Sequence, residues 1–172
     1  TIFPSGQAEE GSTTLQEFII EFDENIVGEL NVEVIDSAVL DATGNGSVGS
    51  SVNIVIDRNA PEISSIHFEA GDDAELMSTN ANLIYAIFTV AGEYEGTLPL
   101  SEVSLSSGDA QLISVEVIND GAAFKVAIAI NENMNEELFV GIGDNVLVDA
   151  AGNGNASKTE SVFIDNIGPS MA

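Results

Sequence analysis

Residues 41–61 and 149–169 are two copies of one pattern. Asp41, Gly44, Asn45, Asp57 and Pro61 recur as Asp149, Gly152, Asn153, Asp165 and Pro169, each displaced by the same interval (149 − 41 = 108) with no gap. A fixed-interval repeat implies a structural unit used more than once, so it is read before any local pattern. The match extends back to Gln16 and Phe124. Glu24, Asn25, Glu29, Leu30, Val32 and Asp36 return as Glu132, Asn133, Glu137, Leu138, Val140 and Asp144. Roughly a third of the aligned positions are identical, too many for turns matched by chance.

The residues between the copies read as strands. Phe18, Ile20 and Phe22 alternate with Glu17, Ile19 and Glu21, and Leu30, Val32 and Val34 alternate with Asn31 and Glu33. This period of two predicts two half-buried antiparallel strands joined through Asp23, Glu24 and Asn25. Val52, Ile54 and Ile56 predict a third, stopped by Asp57 and Pro61 because proline cannot donate to a ladder. Residues 1–14 are polar and turn-forming apart from Ile2 and Phe3, so they read as a linker or a short strand on those two residues. The second unit adds a strand at Ile63 and Ile66, then 83–90, apolar enough to be buried on both faces. Shorter strands are predicted over 98–105 and 112–118, the latter alternating Ile113, Val115 and Val117 against polar neighbours. Asn119, Asp120 and Gly121 signal a hairpin into Phe124, Val126, Ile128 and Ile130.

About seven short strands in about 108 residues, with turns between them and no helical period, predict an antiparallel sandwich of immunoglobulin type. The expected fold is all-β: a partial module over 1–60, a complete one over 61–168, and a tail or start of a further module over 169–172. The first unit holds only the last three of the strands. Three strands leave their apolar face in water unless another segment or another chain covers it, and donor-strand addition is one way to do so. An opening Thr with no signal-peptide pattern reads as a processed chain or a fragment.

Charge narrows the function. Three basic residues, Arg58, Lys125 and Lys158, face 29 acidic ones, a net charge of −26. Such a chain repels nucleic acid and anionic membranes and strains against its own compact state, which bound divalent cations or a salty exterior would relieve. No cysteine is present, which removes disulfides and thiolate zinc sites. No apolar run approaches the ~20 residues of a spanning helix, so direct membrane insertion is not expected.

The segments DATGNGSVGSSVNIVIDRNAP and DAAGNGNASKTESVFIDNIGP resemble the closing motif of bacterial Ig-like repeats of large surface proteins and adhesins. There an Asp-x-x-Gly-Asn loop leads to a last strand ending in Asp and then Pro. The resemblance implies stalk or adhesive modules outside the cell, stiffened by calcium at module junctions. Acidic Ig-like modules of surface-layer proteins are similar, so it also accommodates a lattice or filament. Residues 71–100 match the pattern only loosely.

Calcium takes six to eight oxygens from carboxylates, amides and carbonyls. The junction offers Asp41 and Asn45 on one loop, Asp57 and Asn59 on the linker, and Asp72, Asp73 and Glu75 on a loop expected to return to the same pole. Asp149, Asn153 and Asp165 are the second copy of the set. The alternative is metal-free: Asp41 and Asp149 open tight turns, Gly44 and Gly152 supply positive φ, and the two asparagines cap them. Asn45-Gly46-Ser47 and Asn155-Ala156-Ser157 are glycosylation triplets. His67, the single histidine, falls in a strand, and no nucleophile, phosphate loop or cofactor fingerprint is present, so no enzyme is expected. Carboxylate pairs such as Asp72 with Asp73 read as solvated acidic turns. The aromatics, including Tyr85 and Tyr94, read as core and cross-strand packing, while the position of Tyr94 between Glu93 and Glu95 leaves a weak carbohydrate-binding role open.

The expectation is therefore a structural, extracellular, cell-surface module of an adhesin, surface layer or filament. Its partners would be other modules of the same protein or identical subunits. The competing reading is a glycan- or protein-binding module of a secreted multidomain protein.

Overall fold

Strands account for the regular structure, as β-branched and aromatic residues at period two require. The computed structural model describes residues 2–4, 18–21, 23, 26–71 and 75–169, and the chain divides into two units, Thr1–Asp57 and Arg58–Ala172. Among the described residues there is no α-helix.

The first unit contains β1 (Ile2–Pro4), β2 (Phe18–Ile20), β3 (Gly28–Val34) and β4 (Ser50–Ile56). β1 pairs antiparallel with β2, Phe3 opposite Ile19, and β3 pairs antiparallel with β4, Leu30 opposite Ile54. Ile2 and Phe3 thus belong to a strand. Among the residues of this unit whose burial is described, 19–21, 23 and 26–57, none is buried.

The second unit runs through β5 (Glu62–Glu69), β6 (Ser78–Thr79), β7 (Leu83–Ala91), β8 (Val103–Leu105), β9 (Ala110–Ile118), β10 (Ala123–Ile130), β11 (Asn135–Ile142) and β12 (Lys158–Asp165). One sheet has the order β5-β7-β10-β9 and the other β6-β12-β11-β8. All neighbours are antiparallel except the short β6, which runs parallel to β12. Residues of both sheets enclose one core, including Ile66, Ile84, Phe88, Phe124, Leu138, Val140, Val162 and Ile164, as in a β-sandwich. β7 is central, and its outward Ile87 is buried as well, so the apolar run 83–90 is covered on both faces for most of its length. Lys158 ties the sheets at one margin, its Nζ donating to the Ser64 carbonyl at 2.8 Å.

Two pairings differ from the sequence expectation. β10, the equivalent of β2, does not pair with β11, the equivalent of β3; they lie in different sheets. Residues 131–134 turn the chain across the core, with Asn133 left-handed (φ 70°) and Met134 buried at the end of the core. β2 and β3 likewise pair with other strands, not with each other. In β9 the expected alternation breaks at one residue. Ser114 faces Ala127 but Leu112 faces Ile128, so Ile113 is an inserted bulge residue. The bulge puts Leu112 on the core with Val115 and leaves Ile113 (52% exposed) in solvent, while Val117, in phase with Val115 and opposite Phe124, is 47% exposed near the end of the strand.

Candidate functional site

The repeated loop is a closed hydrogen-bonded unit built from its own residues. In the second unit, Asp149 Oδ1 accepts from the Ala151 and Asn153 amides at 2.9 and 2.8 Å, and Oδ2 accepts from Asn153 Nδ2 at 2.8 Å. In the first, Asp41 Oδ1 accepts from the Thr43 amide, the Thr43 hydroxyl and the Asn45 amide at 2.8–2.9 Å, and Oδ2 from Asn45 Nδ2 at 2.9 Å. Gly44 (φ 88°) and Gly152 (φ 87°) occupy the left-handed turn position that a side chain would resist. The Asn45 side chain above all, with the Asn45 amide and the Thr43 hydroxyl, holds the Asp41 carboxyl well below the usual carboxylate range. Asn153 does the same for Asp149, against the opposing effect of burial.

The wider loop repeats as closely. Asp36 Oδ1 accepts from the Gly49 amide, and Asp144 Oδ1 from the Ser157 amide, both at 2.6 Å. Ser47 Oγ accepts from the Val39 amide at 3.2 Å, where Asn155 Oδ1 accepts from the Leu147 amide at 2.7 Å. Asn155 is 1% exposed, and its Nδ2 donates to the Gly143 and Ala156 carbonyls at 2.9 and 2.8 Å. Of the two glycosylation triplets, then, only Asn45 stands exposed; Asn155 is a buried tie inside its loop. Sequence reasoning gave no role to Asp36 or Asp144 and read Asn155 only as a glycosylation candidate. The recurrence of Asp36 at Asp144 was the available signal.

The other candidate ligands are scattered. Asp41, Asn45 and Asp57 belong to the first unit, and Asp57 and Asn59 are exposed on the connection between units. Asp72 and Asp73 lie outside the described residues. Glu75 bridges to Glu69, whose partner on β7 is Tyr85, while Glu62, just after Asn59, pairs with Ala91. The loop bearing Glu75 therefore sits at the far end of β5 from Asn59, not at the same pole, because a single strand carries the chain from one end of the unit to the other. An eight-residue strand separates them by about 23 Å. Asp165 lies at that far end with Asn80, Asn82 and Glu132, whereas the Asp149 loop lies beside Glu95 and Gly121 at the entry end. Among the described residues no three His, Asp or Glu side chains are grouped to hold a metal ion. Each repeat Asp uses both oxygens within its own loop, so a cation there would share carboxylate oxygens that already accept hydrogen bonds.

Tyr94 is not a free platform. Its hydroxyl donates to the Gly121 carbonyl, its ring tilts against Phe124 at 5.6 Å, and burial pushes its phenol up. It flanks an open hollow of about 770 Å³ with Glu93, Glu95 and Asp120. His67 Nε2 lies 3.2 Å from Glu69 Oε1, and Lys125 Nζ lies 3.6 Å from Glu69 Oε2 and 4.3 Å above the Tyr85 ring. This charge row braces the outer face of the sheet over Ile87. Among the described residues, Phe139 and Phe163 are exposed aromatics, each 44% exposed, on neighbouring strands β11 and β12 and opposite Ser161 and Glu137 respectively. No known protein family, curated protein or solved structure matches this chain.

Proposed function

We propose that this chain is a tandem pair of immunoglobulin-like modules, the first partial, serving as a structural extracellular segment of a surface protein, lattice or filament. The observation that carries the proposal is the repeat at loop level: two copies close on the same side-chain and backbone bonds, which supports one module used in series. The strand orders support the immunoglobulin-like part. Counting β6 as an offshoot of β5, the first, second, fifth and fourth strands make one sheet, and the third, sixth and seventh the other. The acidic surface supports an exterior setting in which calcium stiffens the array.

Imaging of the native particle tests this reading. A filament or lattice with an axial or planar repeat near one module length is expected. An isolated globular particle with no repeat overturns it. Phe139 and Phe163 favour a second reading, a binding module whose outer sheet face takes a glycan or protein through stacked phenyl rings. Loss of a ligand signal in Phe139→Ala with Phe163→Ala, at unchanged melting temperature, distinguishes it.

A further inference from the structure

The two repeated loops share a reactive pair that the proposed function does not use. In each, the asparagine tied to the Asp carboxylate is followed by glycine: Asn45-Gly46 and Asn153-Gly154. Both halves of the pair are required by the loop itself. Asn45 Nδ2 donates to Asp41 Oδ2 at 2.9 Å and to Thr43 Oγ1 at 2.8 Å, and Asn153 Nδ2 donates to Asp149 Oδ2 at 2.8 Å. A Cβ on Gly46 would run into the Ser37 side chain, and one on Gly154 into the Asn145 side chain. Loop packing thus selects the pair in which a side-chain amide is most open to attack by the next backbone nitrogen, since glycine puts no side chain around that nitrogen.

The glycine nitrogen is also left out of the backbone bonding. Gly46 faces Leu40 and Gly154 faces Val148 in isolated antiparallel bridges. The bonds flanking the first bridge run from the Asp41 amide to the Asn45 carbonyl and from the Ser47 amide to the Val39 carbonyl. Those flanking the second run from Asp149 to Asn153 and from Asn155 to Leu147. Each glycine therefore holds the non-hydrogen-bonded position of its bridge, and its N–H donates to no backbone carbonyl among the described residues. Access separates the two copies. Asp41, Asn45 and Gly46 are exposed, whereas Asn153 and Gly154 are half-buried and Asp149 is 6% exposed.

We propose that Asn45 is a site of spontaneous deamidation: when its exposed loop opens and frees the side chain from Asp41, the Gly46 nitrogen attacks Asn45 Cγ, while burial of the equivalent loop holds Asn153 back. The bond formed is Gly46 N–Cγ and the bond broken is Cγ–Nδ2. The Gly46 N–H proton passes to solvent base, and the side-chain nitrogen takes a proton from water and leaves as ammonia. Water then opens the five-membered imide at either carbonyl, giving aspartate or isoaspartate at position 45. The product replaces two side-chain donors by a carboxylate facing Asp41, so like charges meet where a hydrogen bond closed the loop. It also lacks the amide that a glycan would occupy, so deamidation and glycosylation exclude each other at this residue. The proposal rests on the loop geometry and stands apart from the tandem-module reading.

Peptide mapping of the 172-residue chain, incubated folded and in urea at the same mildly alkaline pH, tests it. A mass gain of about 1 Da marks each conversion. Isoaspartate marks passage through the imide, because direct hydrolysis of the side chain yields aspartate alone. In urea the two sites share the context Gly-Asn-Gly and are expected to convert within ~3-fold of each other. In the folded chain Asn45 is expected to convert at least ~10-fold faster than Asn153, because opening an exposed loop costs less than opening a half-buried one. Equal folded-state rates overturn the proposal, as does a faster Asn153, or aspartate at position 45 without isoaspartate. Asn45→Asp, one of the two products, tests the consequence. The Thr43 amide, which donates to Asp41 Oδ1 in the parent, is expected to exchange at least ~10-fold faster in that variant, and unchanged exchange overturns the opening of the loop.

Discussion

Asn155 concentrates the residue-scale chemistry of the second unit, since one buried amide satisfies a donor and two acceptors of a loop that crosses between strands of one sheet. Asn155→Ala leaves the Leu147 amide and the Gly143 carbonyl without those partners. The expected cost is about 1–3 kcal/mol in a urea melt. Asn155→Ser is expected to recover part of that loss, because Ser47 fills the equivalent acceptor role in the first unit. Asp149 makes a pH-dependent contribution. Its folded pKa is depressed, so its contribution is complete above the ordinary value of 3.8 and fades as pH falls through the lower folded value. Asp149→Ala is therefore expected to melt below the parent at pH 7, with a gap that narrows steadily once the pH drops below 3.8. A gap that is constant with pH would mean that the loop draws nothing from the ionised carboxylate. These loops were legible in the sequence as turns. The buried role of Asn155 was not, because burial depends on what the rest of the chain places over it.

At the element scale, β9 shows where alternation misleads. Ile113, Val115 and Val117 share a period of two, yet one inserted residue reverses the phase partway along and gives the inward position to Leu112. Leu112→Ala is expected to cost about 1–2.5 kcal/mol as its half-buried methyl groups lose cover. Ile113→Thr should fall within about 0.5 kcal/mol of the parent. Paired chemical denaturation of the two variants checks this, and the reverse order would put the bulge elsewhere. The bulge also bends an edge strand nine residues long, which makes continuous addition of a foreign strand along that edge harder. The positions of β7, β10, β11 and β12 were readable from their apolar runs. Which of them would pair was not, because pairing is settled by the connection at 131–134 crossing the core and not by the pattern within either strand.

For the whole molecule, charge is the dominant variable. With 29 acidic and three basic residues, screening should stabilise the fold, so the melting temperature is expected to rise from 10 mM to 500 mM sodium chloride as the Debye length falls from roughly 30 Å to under 10 Å. Millimolar calcium at matched ionic strength should add a further increase if the array is stiffened by bound ions. Identical midpoints in calcium and in chelator would remove calcium from the proposal. Local chemistry was determined by the sequence alone: the repeat, the Asp-x-x-Gly-Asn loops and the strand-forming segments. The loops depend on side-chain hydrogen bonds spanning at most 13 residues, and they form alike in both units. Only the tertiary structure decided which faces are inside, how the strands pair, and that Glu75 lies at the far end of β5 from Asn59. Burial is a property of segments far apart in the chain, and no local pattern records whether the partner that would bury a face is there.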